Sequence, residues 1–458
     1  MRTLAEIRSL LTERGTSAVE LAGEALSRAR DPAGEGARAF TRLYAEPAAA
    51  AASQCDARRR KGETAGPLSG VPVSIKDLFD VAGETTLAGS VACRGEPPAA
   101  ADAPAVARLK AAGAVILGRT DMSEFAFAGL GLNPHYGTPL NPWDRATRRI
   151  PGGSSSGAAV SVADGMAAAA IGTDTGGSLR IPAALCGLVG FKPSAGRVPR
   201  AGAFPLSKTL DSVGPLAPSV ACCALLDGVL SGEGNAAPLP EPAQRIRLAA
   251  PQRYVLEGMD AAVGAAFERA KRRLGAAGVR VTDLALAELE ELPGINAKGG
   301  FAVYESYAIH RERLERAGAR YDPRVRARIL RGRDIDQTDY RLLCELRGRF
   351  IARIVAALAG FDALLVPTVP VISPALGPLE ASDAEYQRAN LLVLRNPSIA
   401  NFLDGCSISI PCHEPGEAPV GLMLIGARDT DRRLLSIGLA VEALVSQRCT
   451  RENQALQS

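Results

Sequence analysis

Short apolar runs that alternate with stretches of helical periodicity constrain this chain more than any other feature. VPVSIKD at 71–77, a helical pattern near 103–112 and AVILGRT at 114–120 set the rhythm. Beyond residue 244 it resumes with IRLAAP, a helical pattern from about 260 to 277, and VRVTDLAL. Strands that are apolar almost throughout are buried on both faces, so the alternation predicts an α/β sheet covered by helices on either side. Hydrophobic residues make up 47% of the 458 positions but aromatics only 4%, so Ala, Val, Leu and Ile must fill the core.

That length suits one large domain or two ordinary ones. GEGNAAPLPEPA at 232–243 reads as a surface linker. The α/β pattern continues across it, which favours a single domain over two units. Within that domain residues 1–60 are expected as N-terminal helices, with capping boxes at Thr3/Glu6 and Ser17/Glu20 and an Ala-rich helix near 46–61. Residues 61–231 form the core that holds the segment 151–193, and 244–360 a mainly helical middle region. Residues 361–458 complete the core with strands at 362–371, 406–412 and 419–427 and a helix near 431–446.

A net charge of +4 argues against a dedicated nucleic-acid binder. The nine cysteines show neither C-x-x-C pairs nor His partners at metal spacing, which predicts neither a disulfide framework nor a metal site. MRTLAEIRSLLTERG is an amphipathic helix pattern without the apolar core of a signal peptide. No run approaches the ~18 apolar residues of a membrane span. Together these features predict a cytoplasmic protein with no membrane contact.

The chemistry concentrates in residues 151–193, PGGSSSGAAVSVADGMAAAAIGTDTGGSLRIPAALCGLVGFKP. Glycines let backbone amides converge on one point, and Thr173-Asp174-Thr175-Gly176-Gly177-Ser178 places a hydroxyl directly after two of them. A nucleophilic serine needs such donors for its oxyanion, each contributing about 3–4 kcal/mol. A phosphate loop and a G-x-S-x-G elbow are both absent. With only His135, His310 and His413 present, a Ser–His–Asp triad lacks support. Lysine is scarce: seven of the 53 basic residues, the rest being arginine, which cannot give up its proton. Lys76, at the end of an apolar strand, is the candidate base, since desolvation favours the neutral amine. A strand-end lysine paired with Asp77 is the alternative.

These motifs resemble those of the amidase signature family over essentially the whole chain. GGSSSG and, 24 positions from its first serine, the Ser of GTDTGGSLR make the densest match. GVPVSIKD, GRTDMSEFAFAG at 118–129, NPWD at 141–144, GFKPS at 190–194, FDALLVPTVP and PVGLMLIG support it. The resemblance implies one α/β domain on a mixed, twisted sheet of about eleven strands. It implies Lys76 as catalytic base, Ser154 as a bridging serine on a cis peptide, and Ser178 as the acylated nucleophile. Thr175, Gly176, Gly177 and Ser178 supply backbone donors to the oxyanion. Ser155, Asp174 and Arg180 are supporting residues, the last two as an ion pair bracing the loop. Ser156 stands where the family often has glycine.

The implied activity is hydrolysis of a small-molecule amide to a carboxylic acid and ammonia or an amine, without a cofactor, by a protein that pairs as a homodimer. Met122, Ser123 and the loop Asn133–Tyr136, Tyr136 included, lie where the family's pocket draws residues, packing being the alternative. Among the arginines of 311–333, most are expected on a solvated face and one as a partner for a substrate carboxylate. Two other readings carry the same motifs: the catalytic chain of a tRNA-dependent amidotransferase, and a binding protein that has kept the fold but lost the chemistry. The Tyr- and Gly-rich middle segment of such amidotransferase chains has no match here.

Overall fold

The first two helices begin where their caps dictate. Thr3 and Ser17 each accept the backbone N–H three residues on, and Glu6 and Glu20 reach back, closing both boxes. Along Ala18–Arg30, Leu21, Ala22, Ala25, Leu26 and Ala29 are buried at the spacing of one helix face. The computed structural model describes residues 1–63, 65–234 and 238–445. Residues 235–237 of the expected linker and the last residue of the expected closing helix lie outside that set.

Eleven strands form one mixed sheet. They are β1 (Phe40–Leu43), β2 (Pro72–Lys76), β3 (Val115–Thr120), β4 (Ala169–Asp174), β5 (Val189–Lys192), β6 (Ser212–Ala217), β7 (Arg247–Pro251), β8 (Arg280–Leu284), β9 (Ala363–Pro367), β10 (Ser407–Pro411) and β11 (Gly421–Ile425). Their order across the sheet is β1-β3-β2-β4-β6-β5-β10-β11-β9-β7-β8. The pairs β2/β3, β2/β4, β7/β8 and β7/β9 are parallel, and the remaining neighbours antiparallel. β2, β3, β4, β6, β9 and β11 are buried at every position, as strands covered on both faces must be. The fold is therefore the single α/β domain that the alternation implied.

The middle region is helical, with Gly300–Ala317, Pro323–Leu330 and Gln337–Ala357. Together with Asp383–Phe402 it lines a cavity that Thr175 and Gly176, just after β4, also border. Among the described residues, no helix is long and apolar enough to cross a membrane.

Candidate active site

β2 and β4 are parallel neighbours, with Ile75 opposite Ile171, so their carboxyl ends lie side by side. Lys76 is the last residue of β2 and is fully buried. Its Nζ donates to Ser154 Oγ at 2.7 Å and to Thr173 Oγ1 at 3.2 Å. Burial lowers the amine to about 7, even though the charges of Asp174 and Asp211 favour its protonated form. Pairing with Asp77 does not occur. That carboxylate takes Arg119 Nε at 2.7 Å and the Gly89 amide at 3.2 Å, and among the described residues no carboxylate forms an ion pair with Lys76. A second buried lysine, Lys192, donates instead to the carbonyls of Pro193 and Gly405, at 2.8 and 2.7 Å. Facing carbonyls, it has no hydroxyl to deprotonate.

Ser154 sits on a cis peptide, Gly153–Ser154. Three loops lock around it: Gly153 N–H donates to the Gly129 carbonyl at 2.8 Å, Ser123 N–H to the Ser154 carbonyl at 3.1 Å, and Ser155 N–H to the Ser178 carbonyl at 3.3 Å. The approach demands glycine. At Gly131 (φ +85°) an added Cβ would stand 2.3 Å from the Gly152 carbonyl oxygen. The hydroxyls of Ser123 and Ser155 are buried and find no hydrogen-bond partner among the described residues.

The turn after β4 is organised by Asp174. Its carboxylate accepts the amides of Gly177 (2.8 Å) and Leu179 (3.1 Å), two guanidinium nitrogens of Arg180 (3.0 and 2.8 Å) and Asn401 Nδ2 (2.9 Å). Burial pushes this acid upward, but Arg180 and these donors outweigh it and hold it well below the ordinary carboxylate range. Arg180, also fully buried, spends its other donors on Pro397 O (2.7 Å), Asn401 Oδ1 (2.7 Å), Ser407 Oγ (3.4 Å) and Met423 Sδ (3.2 Å). The expected ion pair is thus present, and it ties the turn to the C-terminal part of the sheet. Gly177 carries the bend at φ +125°, where a Cβ would stand 2.6 Å from Pro397 Cβ. Ser178, only 3% exposed, follows it directly.

A cavity of about 1660 Å³ opens in front of this turn. Thr175 and Gly176 line one wall, Phe127, Asn133, Arg328 and Tyr386 others. Asn133 fixes its own wall by donating to the carbonyls of Gly89 (2.8 Å) and Met122 (2.7 Å). Met122 itself is fully buried, and the half-buried Tyr136 ring lies 5.9 Å from the Arg94 guanidinium; neither is among the lining residues. Thr173, Asp211 and Asn401 join the site without having stood out in the sequence. Thr173 was within view, alternating with Ile171 along β4. Asp211 and Asn401 carry no local signal, because their contacts are made by the fold.

A solved amidase has the same fold over nearly the whole chain. The Amidase family model matches residues 24–435, and the chain belongs to that family. It is 38% identical to 2-amino-5-chloromuconic acid deaminase of Comamonas testosteroni, over 87% of each chain. It is also 32% identical to the A subunit of glutamyl-tRNA(Gln) amidotransferase from Chloroflexus aggregans, over 99% of this chain and 98% of that one. A solved amidase structure superposes with a TM-score of 0.87 at 35% identity, covering 97% of this chain and all of the other. The peptide amidase of Stenotrophomonas maltophilia gives 0.79 at 27% identity, covering 97% and 96%.

Proposed function

We propose that the protein is a small-molecule amidase that works through Ser178, Ser154 and Lys76. The observation that carries this reading is the 2.7 Å contact from a fully buried Lys76 amine to Ser154 Oγ, with no carboxylate among the described residues paired to the amine to hold it charged. Neutral Lys76 takes the Ser154 proton as Ser154 takes that of Ser178, and Ser178 Oγ bonds to the amide carbon. The oxyanion is met by the backbone amides of Thr175, Gly176 and Ser178, the expected Gly177 amide being held instead by the Asp174 carboxylate at 2.8 Å. Ser154 then passes a proton to the nitrogen, the C–N bond breaks, and ammonia or an amine leaves. Water attacks the acyl ester by the reverse proton route and releases the carboxylic acid.

Because the base must be neutral, activity belongs to the high-pH side of its titration. kcat/KM is expected to fall about tenfold per unit below pH about 7, the value to which burial brings Lys76. A flat profile between pH 5 and 8 on an amide whose chemistry limits the rate would contradict Lys76 as base.

The cavity favours an acidic substrate. Arg328 packs 4.3 Å over the Phe127 ring and donates to the Phe127 carbonyl at 3.1 Å. It forms no ion pair among the described residues, and burial lowers it to about 10. A guanidinium left in that state is ready for a carboxylate, and the deaminase relative's name is that of an enzyme acting on an acid. Arg328→Ala is therefore expected to raise KM for a carboxylate-bearing amide by about tenfold or more while leaving that for a neutral amide nearly unchanged. Equal effects on both substrates would remove the assignment. The first experiment is ammonia release from a panel of aliphatic, aryl, amino-acid and carboxylate-bearing amides.

The second reading, the catalytic chain of an amidotransferase, is supported by identities of 32–34% over 95–99% of this chain to several such proteins. It requires a stable partner chain. Affinity purification from the native cell under mild conditions separates the two: a stoichiometric partner, with glutamine as the preferred amide, would favour the amidotransferase.

A further inference from the structure

Behind the turn lies a second, smaller cavity, of about 280 Å³. Thr173, Arg200, Phe204, Lys208, Asp211 and Val213 line it. Thr173 and Thr175 therefore stand between two spaces: the first touches the small cavity and the Lys76 amine, the second lines the large cavity. Asp211 links them. Its Oδ1 accepts Thr175 Oγ1 at 2.5 Å, and its Oδ2 accepts the amides of Leu206 (3.0 Å) and Ser207 (3.1 Å).

Two acids influence Lys76, and they are not equivalent. Asp174 faces Lys76 with its charge already matched by Arg180 at 2.8 Å, with Lys192 behind it. Asp211 is bound only by a hydroxyl and two amides and forms no ion pair among the described residues. Arg200 and Lys208 face it across the small cavity, and Arg200 donates not to its carboxylate but to its backbone carbonyl, at 3.2 Å. Glu305, on the helix packed over the 207–211 loop, is taken up by Ser207, Thr209 and Tyr340. The negative charge near the buried amine that no ion pair among the described residues holds is thus that of Asp211.

Resting on the proposed role of Lys76, we infer that Asp211 is a positioning residue of the hydrolysis. Its charge sets the pH at which Lys76 releases its proton, and its bond to Thr175 holds the loop that presents Gly176–Ser178. The sign follows from electrostatics. A nearby negative charge stabilises the protonated amine, so removing it must lower the Lys76 midpoint and move the acid limb of activity to lower pH. Burial raises Asp211 itself to about 6, below the Lys76 value of about 7, so most of its charge is present at the Lys76 midpoint.

The chain's seven lysines allow a direct test. Protein labelled with ¹³C at lysine Cε is titrated by NMR, the Lys76 resonance being assigned by its loss in Lys76→Met. Asp211→Asn is expected to lower the Lys76 midpoint by about half a pH unit or more, and Asp211→Glu, which keeps the charge, to leave it within about 0.2. If Asp211→Asn does not fold, Asp211→Ser takes its place, with the same two outcomes. An unmoved or raised midpoint in the neutral variant, or an equal fall in Asp211→Glu, overturns the inference. The wild-type value separates this result from the reading beneath it. A midpoint near 7 that Asp211→Asn does not move sinks only the role of Asp211, whereas one near 10.5 sinks Lys76 as base.

Discussion

Ser178→Ala and Lys76→Ala are each expected to lower kcat for the best amide by at least about 10³-fold, with KM changed far less. The two losses have different origins. Without Ser178 Oγ no acyl ester can form, and only water held in the cavity remains to attack. Without Lys76 both serines remain, but the Ser154 proton has no acceptor, because Thr173 is itself a hydroxyl and both Asp174 and Asp211 are engaged by other donors. The double variant should lose little more than either single one, since residues that act as one relay are strongly non-additive. Ammonia release by the purified variants, with matched melting curves, decides the matter. Wild-type turnover by Lys76→Ala on any substrate would refute the relay.

The second large effect is on stability. Asp174→Asn and Arg180→Met are each expected to cost about 3–5 kcal/mol, because each leaves a buried partner charge uncompensated. That is a large share of the ~5–15 kcal/mol that holds a typical domain folded. Arg180→Lys should recover little of it, since one ammonium cannot serve Asp174, Pro397, Asn401 and Met423 together. The pH dependence follows from the lowered native value of Asp174. Its contribution is complete above the ordinary value of 3.8 and fades only as acid approaches the lower native value. Urea midpoints measured between pH 5 and 8 should thus show a gap between wild type and Asp174→Asn that does not close as the pH falls, since the Asp174 charge also favours protonated Lys76. A gap that closes as the pH falls across that range, or one below about 1 kcal/mol, would assign the stabilisation elsewhere.

Much of this was legible in the residues. Apolar runs between helical stretches defined a covered sheet because periodicity is a local property. The two capping boxes were visible because three-residue spacings are local too. Lys76, Ser154 and Ser178 stood out through motif resemblance, and the fold brings the first two into hydrogen-bond contact. What stayed hidden lies in contacts between distant positions. Nothing around Asp211 announces that it holds Thr175, 36 residues away. Nor does anything near Asn401 announce that it reaches Asp174 across 227 residues. The substrate wall was harder still. Asn133 lines the cavity whereas Met122 and Tyr136 do not, a difference made by side-chain direction within one short loop.

The reach of Arg180 has a consequence for biosynthesis. Its guanidinium is completed by groups 217 to 243 residues further along the chain. On the ribosome, a nascent polypeptide that has already emerged with both serines and the lysine still lacks Pro397, Asn401 and Met423. The loop that carries Ser178 lacks this C-terminal bracing until nearly the whole message has been translated. On the proposed mechanism, a fragment truncated before residue 397 is expected to carry Lys76, Ser154 and Ser178 and yet to release no ammonia from any amide.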